Sequence, residues 1–219
     1  MTLRIPVAAI VFDFDGVLAE SVEVKGEAFC ALYDSHGPDI QRKVLAYHRA
    51  HGGISRFDKI RHFEEEFVGR PVTSKDVNHL AQRFSALVED RVIAAPWVAG
   101  ARDFLEQFYQ ILPLFVASAT PQEEIERIVK ARRMAFYFKG VFGSPEKKSA
   151  HLQTIARTYG FPVSRILMVG DTVSDYNAAA ESGTAFLGRH ISNIPCPFPE
   201  GTPTIADLRE LGSRIVPNP

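Results

Sequence analysis

Cysteine, tryptophan and surplus charge are all scarce in this 219-residue chain, and each scarcity excludes something. The two cysteines, Cys30 and Cys196, stand far apart and outside any metal-ligand spacing. A disulfide framework is therefore not expected, and a reducing cytoplasm is the expected setting. The 25 basic residues nearly balance the 26 acidic ones, for a net charge of −1. With acids and bases mixed along the chain, no basic stripe points to nucleic acid, although a local positive cluster in a cleft can still hold a small anion. No apolar run approaches the ~20 residues that span a bilayer. The opening Met1-Thr2-Leu3-Arg4-Ile5-Pro6 does not have the form of a signal peptide. Nothing repeats, and nothing in the sequence bears on oligomeric state.

What is present is globular: 46% of residues are hydrophobic and 23% charged. Short apolar runs at 7–12, 112–117, 166–169 and 184–187 read as strands buried on both faces, with a weaker one at 140–142. Between them, 99–109, 123–134, 149–159 and 174–182 carry apolar residues at helical spacing. Gly160 and Gly183 stand where helix C-terminal caps belong. This alternation predicts an α/β fold with a doubly wound parallel sheet. Thr204-Ile205-Ala206-Asp207 has capping-box spacing and predicts a last short helix. Residues 22–95 break the pattern. They read as consecutive helices (about 22–36, 39–50, 56–68 and 74–94), too long for a simple crossover, whose helix usually takes ~10–15 residues. The expected division is a core of 1–21 and 96–219 and an inserted all-helical subdomain of 22–95.

In open parallel sheets, ligands bind beyond the carboxyl ends of the strands. Those ends here carry Asp13 and Asp15, Ser118 and Thr120, and Asp171 and Asp175. Any one of these could be an ordinary turn or cap residue, but several strand ends so furnished are a much rarer accident. Residues two apart in an extended chain share a face, so Asp13 and Asp15 should aim at one centre. Carboxylates crowded there repel one another unless a proton or cation intervenes, and a hard, oxygen-seeking ion such as Mg2+ would resolve the conflict. Asp171 supplies a third carboxylate from another strand end.

With these residues in view, Val11-Phe12-Asp13-Phe14-Asp15-Gly16-Val17-Leu18 resembles the first motif of the haloacid dehalogenase superfamily. Ser118 after its strand resembles the second motif, and Gly170-Asp171-Thr172-Val173-Ser174-Asp175 the fourth. The resemblance implies a Rossmann-like core with residues 22–95 as a helical cap. It further implies that Asp13 is a nucleophile and Mg2+ ligand, and that Asp15 binds Mg2+ through its backbone and serves as general acid and then base. By the same resemblance Asp171 is the other side-chain ligand, and Asp175 steadies the metal shell or the family lysine. Ser118 and nearby backbone N–H groups, in the stretch Ser118-Ala119-Thr120, would hold phosphoryl oxygens. The third motif is a lysine; in Gly143-Ser144-Pro145-Glu146-Lys147-Lys148 its place favours Lys148, with Lys147 as the alternative.

In the insertion, His51-Gly52-Gly53-Ile54-Ser55-Arg56 resembles the cap loop of β-phosphoglucomutase, whose arginine grips a distal phosphate. Gly53 and Arg56 are thus candidate substrate contacts; the plain alternative is a helix capped by Ser55 with a surface arginine. Lys25 either faces the cleft or is a solvated helix lysine. His48, His51, His62 and His79 lack zinc-ligand spacing. Trp97 reads as packing. The function these features imply is a Mg2+-dependent phosphatase acting on a small phosphorylated metabolite through an aspartyl-phosphate on Asp13. A sugar phosphomutase is the runner-up, weakened by Gly170 where the mutase has Glu. Asp15 argues against a dehalogenase, and the intact motif set argues against a non-catalytic binding module.

Overall fold

Alternation along the central strands decides what packs on each side of the sheet. A computed structural model describes residues 5–191 and 195–217. Its six-stranded sheet is parallel throughout, in the order β4 (Gly140–Ser144), β3 (Leu114–Pro121), β2 (Ala9–Phe12), β5 (Ile166–Gly170), β6 (Ala185–Arg189), β7 (Thr204–Ile205). Ile10, Phe12, Leu114, Val116, Leu167 and Val169 face one way and join Phe104 and Leu105 of α5 (Ala101–Phe108) and Ile125 and Ile128 of α6 (Gln122–Ala131). Ala9, Val11, Phe115, Ala117, Ile166 and Met168 face the other way, against Leu152 and Ile155 of α7 (Lys148–Tyr159) and Ala178 and Ala179 of α8 (Val173–Ser182). Because both faces are covered, β2 and β5 are apolar at nearly every position, as the runs predicted. The fold is the expected doubly wound α/β sheet.

Three details differ from expectation. The first apolar run divides at Ala8: Ile5–Val7 forms β1 and pairs with β8 (Ile215–Pro217) in a separate two-stranded ribbon, while Ala9–Phe12 enters the main sheet. The β3 strand runs on through Ser118-Ala119-Thr120 to Pro121, with a register shift against β4 after Ala117. Thr204-Ile205 is an edge strand on Gly188-Arg189 rather than a helix start, because a β-branched pair beside an open strand edge gains ladder hydrogen bonds there. Asp207 is taken by Arg209 instead of capping Thr204, and the short helix, α9 (Leu211–Arg214), begins later.

Between Val22 and Ala94 the chain forms helices and no strand: α1 (Val22–Leu32), α2 (Pro38–Ala50), α3 (Arg56–His62), which widens into a π-helical stretch at Phe63–Val68, and α4 (Ser74–Ala94). We call this block the cap. Its interior is aromatic, with Phe29 stacked on Phe84 at 4.0 Å and edge-on to Phe63 at 5.4 Å.

Charged groups fasten one side of the cap to α6. Arg56 is buried, its guanidinium held by both Glu124 oxygens at 2.5 and 2.7 Å and bonded to Ser85 at 2.6 Å. The fork that was expected to meet a substrate anion is therefore occupied by a core carboxylate. Arg127 reaches Glu89 of α4 through two bonds of 2.9 and 2.8 Å. Arg132 donates to the carbonyls of Val92, Ile93 and Ala95, satisfying the end of α4, and lies over the Trp97 ring. Removing one partner of a buried pair strands the other charge, so Glu124→Ala should lower stability by ~3–5 kcal/mol. Equilibrium urea unfolding checks this, and a loss below ~1 kcal/mol, the level of an exposed pair, would show that Arg56 is not anchored by Glu124.

Candidate active site

Strand order reverses beside β2: the chain crosses to β3 on one side and later to β5 on the other, which opens a crevice at their carboxyl ends. Asp13 follows β2 directly, and its N–H continues the ladder to the Val169 carbonyl at 2.9 Å. That ladder puts Asp13 alongside Asp171, which likewise follows its strand, β5, directly. The chain then turns sharply at Gly16 (φ +74°), where a side chain would collide with the Asp171 carboxylate. Glycine is needed there both for its left-handed conformation and for the space it leaves the acid.

Lys148, at the start of α7, brings the positive charge. Its ammonium lies 2.9 Å from Asp13 Oδ2 and 2.5 Å from Asp175 Oδ1. Of the two candidate lysines, Lys148 is the one that meets these carboxylates, while Lys147 is exposed at the N-cap position. Burial alone would lower the Lys148 pKa, but the Asp13 and Asp175 carboxylates outweigh it and hold the pKa above its ordinary value. Asp175 is fully committed: its Oδ2 accepts from Thr172 N–H (3.1 Å) and Thr172 Oγ1 (2.7 Å), forming a capping box that begins α8. It positions the lysine while staying at the edge of the acid cluster.

Asp15 faces a cap residue. Its Oδ1 accepts from Ser21 Oγ at 2.6 Å and its Oδ2 from Lys25 Nζ at 2.5 Å. Lys25 also donates to Thr120 Oγ1 at 2.8 Å, so α1, β2 and β3 meet at one ammonium. Sequence reasoning left Lys25 undecided between cleft and solvent and passed over Ser21; the structure places both on Asp15. Burial works against the Asp15 charge, but Lys25 and Ser21 outweigh it and keep the carboxyl below the ordinary range. Ser118 and Thr120 are buried, with Thr120 N–H donating to Ser118 Oγ at 3.1 Å, and Ala119 between them is partly exposed. Gly53 (φ +73°) lies over the loop after β5: its carbonyl accepts from Ser174 Oγ at 3.3 Å, and an added Cβ would come within 2.6 Å of Ser174 and Thr172. The cap glycine thus admits core side chains to close contact, where a ligand was expected.

The pattern that defines haloacid dehalogenase-like hydrolases matches residues 7–183. The chain belongs to that family. Among curated relatives, a phosphoglycolate phosphatase of Pseudomonas fluorescens (strain Pf0-1) is 31% identical over 121 residues, which is 51% of this chain and 44% of the relative, so the matched region spans less than half of that protein. A phosphoglycolate phosphatase of Pseudomonas savastanoi pv. phaseolicola is 24% identical, with 92% of this chain and 77% of the relative covered. A Bacillus subtilis protein described as a HAD-hydrolase bound to magnesium superposes with a TM-score of 0.72 at 15% identity, covering 95% of this chain and 98% of its own, a likeness of fold.

In this HAD-like hydrolase, Asp13, Asp171 and Asp175 each bring a carboxylate oxygen within 4.8 Å of the others. Asp171 Oδ1 is buried with no hydrogen-bond partner. Burial, with the neighbouring carboxylates, pushes Asp13 up to about 7 and Asp171 well above its ordinary value, even though Lys148 pulls the other way. An orphaned oxygen in an all-oxygen cluster that a single lysine leaves short of positive charge fits a hard divalent cation such as Mg2+. Among the described residues no helix is long and apolar enough to cross a membrane.

The signs of these shifts yield a pH test. A carboxyl raised in the folded state holds its proton better there than in the unfolded chain, so metal-free stability should fall as pH rises from about 4 toward about 7. A cation must displace those protons, so stabilisation by Mg2+ should grow over the same interval. Thermal unfolding at pH 5.5 and pH 8, with Mg2+ and with chelator, should therefore show the larger Mg2+ gain at pH 8, and Asp171→Asn should remove it. An equal gain in wild type and Asp171→Asn would place the ion elsewhere.

Proposed function

We propose that this protein is a Mg2+-dependent phosphatase that hydrolyses a small phosphate monoester through a transient aspartyl-phosphate on Asp13. The observation that carries the reading is Asp13 itself: a buried carboxylate with Oδ1 bonded to Phe14 N–H at 2.7 Å and Oδ2 to Lys148 at 2.9 Å, beside an unsatisfied acid. Asp13 and Asp171 would hold Mg2+ with the Asp15 backbone carbonyl. When bound, the ion would offset negative charge on the phosphoryl oxygens.

Asp13 Oδ attacks phosphorus and the ester oxygen leaves with a proton from Asp15. In the second half, Asp15 takes a proton from water as the water oxygen attacks phosphorus, which releases inorganic phosphate and restores Asp13. Lys148 screens the approach of one anion to another, and Asp175 keeps the ammonium in place. The Lys25 bond keeps Asp15 ionised, the form that can accept a proton, while lowering its basicity. For the acid half Asp15 must be protonated and released from Lys25, and a substrate anion competing for that ammonium would release it. Ser118 and Thr120, buried at the end of β3, would receive phosphoryl oxygens. The names of the two curated relatives make phosphoglycolate the first compound to assay, and the two free cysteines accord with a cytoplasmic setting. Phosphomutase is the weaker reading: the guanidinium that would grip a distal phosphate is engaged by Glu124.

Asp13→Asn should remove turnover of p-nitrophenyl phosphate while leaving the unfolding midpoint close to wild type. The loss should span several orders of magnitude, since enzymes accelerate phosphate-monoester hydrolysis by up to ~10²¹. Activity in Asp13→Asn within tenfold of wild type would refute the nucleophile, and conversion of a sugar phosphate into its isomer faster than phosphate release would favour the mutase.

A further inference from the structure

The strand that ends in Ser118-Ala119-Thr120 parts from its neighbour before it ends. β3 and β4 keep register through Ala117 and Phe142 and resume it at Pro121 and Ser144, so Ser118, Ala119 and Thr120 stand over the single residue Gly143. Extra residues in one strand break the ladder locally and re-aim side chains, and the β4 groups facing the break need other partners. They find them in Gln122, the first residue of α6. Its Oε1 accepts from Gly143 N–H at 2.5 Å, and its Nε2 donates to the Val141 carbonyl at 2.9 Å. Nε2 also donates to Glu126 at 2.5 Å, so every partner of the amide calls for the same orientation. The Val141 C=O and the Gly143 N–H are the two groups that one residue of a parallel neighbour would serve. A side-chain amide thus stands in for the displaced peptide. The fit is close: a Cβ on Gly143 would come within 2.6 Å of Gln122 Cα and 2.7 Å of the Thr120 carbonyl, so only glycine permits it.

Gly143 is held on its other side by His151. The His151 Nε2 lies 3.0 Å from the Gly143 carbonyl, which can only accept, so Nε2 carries the proton. The ring is buried against Phe142, 5.2 Å between centres, and burial holds its pKa below the ordinary value, which keeps it neutral. His151 stands one turn beyond Lys148 on α7. Its bond therefore closes the segment 143–151 on itself, while the Gln122 amide ties the same segment to the broken stretch of β3. Lys148 is what that segment delivers to Asp13 and Asp175.

We propose that Gln122 and His151 are positioning residues: gripping Gly143 from its two sides, they fix where Lys148 meets Asp13 and hold it in register with Ser118 and Thr120. The inference rests on the phosphatase reading for what Lys148 does, but the placement of Lys148 can be measured without it. Both residues bond to the backbone of β4 and act on the reaction only through the lysine. A reacting group misplaced by ~1 Å can cost about a hundredfold in rate, so two bonds to one peptide are enough to matter.

The test joins kinetics to crystallography on the Mg2+-loaded protein. Gln122→Met keeps the length of the side chain and removes both ladder bonds, and His151→Leu removes the bond to Gly143. Each should lower kcat for p-nitrophenyl phosphate about ten- to a hundredfold, with Lys148 Nζ drawn away from Asp13 by ~1 Å or more in the crystal. His151→Gln puts an amide donor near the place of Nε2 and should return kcat close to the wild-type value. His151→Asn puts its amide at the place of Nδ1 and should stay as slow as His151→Leu. A merely structural role would instead make the glutamine and asparagine variants fall alike, in step with their unfolding midpoints. If Gln122→Met does not fold, Gln122→Glu carries the comparison: it keeps the bond from Gly143, loses the one to Val141, and should still displace Lys148. An unmoved Lys148 in the variants, a glutamine variant as slow as the leucine one, or losses of kcat that track the unfolding midpoints would each overturn the assignment. Wild-type protein that hydrolyses no phosphate monoester, with Lys148 displaced in the variants, would instead sink the phosphatase reading and leave the positioning of Lys148 standing.

Discussion

Four carboxylates converge on one end of a sheet whose interior is almost wholly apolar, and their mutual repulsion is the constraint the surrounding structure answers. Pairing of β2 with β5 in register brings Asp13 beside Asp171. Gly16 leaves room for the Asp171 carboxylate, Asp175 is drawn off to cap α8, and Lys148 enters from α7 between Asp13 and Asp175. Asp15 is drawn away from the cluster altogether, toward Lys25 of the cap. What is left is one unpartnered oxygen on Asp171 and a raised pKa on Asp13, the state expected of a site that needs one more cation. Elements from both sides of the sheet are thus placed by charge as much as by packing.

The cap is part of this balance. Lys25 can reach Asp15 and Thr120 only if α1 lies where it does, and that placement rests on attachments elsewhere: Arg56 to Glu124 and Arg127 to Glu89 on one side, Gly53 against Ser174 on the other. A single apolar cluster includes Phe12 and Phe14 on either side of Asp13 and Phe29, Phe63 and Phe84 of the cap. Arg189 adds a tie from the far side, donating to the Gly16 carbonyl at 2.8 Å and holding Glu20 where the chain leaves the first motif for α1. The entry to the cap and the turn after Asp13 are held by one guanidinium.

How legible this was in the sequence depended on which force set each feature. The buried parallel strands were visible because apolar runs of that length ending in Asp or Ser have few other uses, and the acids at their ends followed from the same reading. The helix expected at 204–207 failed because a capping-box spacing says nothing about a free strand edge nearby, and Thr204-Ile205 took the edge. Arg56 was noticed for its loop, yet its better signal lay in periodicity. Arg56, Lys59, Ile60 and Phe63 stand at i, i+3, i+4 and i+7, and all four are buried. Two charged residues on the inward stripe of a helix must each find a partner. No sequence spacing could say that Glu124, 68 residues on, meets Arg56. The bonds of Ser21 and Lys25 to Asp15 are of the same kind, since they depend on how the cap folds back over β2.

The two charges on that stripe are held in contrasting ways. Arg56 and Lys59 are buried to nearly the same degree, one turn apart on α3. Arg56 is fully matched by a carboxylate of the core and serves to hold the cap in place. Lys59 is matched only by a neutral ring whose proton points away from it, and an apolar side chain would fill the same volume at lower electrostatic cost. In a helix whose other inward residues are Ile60 and Phe63, hydrophobic packing alone does not account for an ammonium there. Among the described residues, Lys148 meets Asp13 and Asp175, Lys25 meets Asp15, and Lys59 is the buried lysine that meets a neutral imidazole instead of a carboxylate.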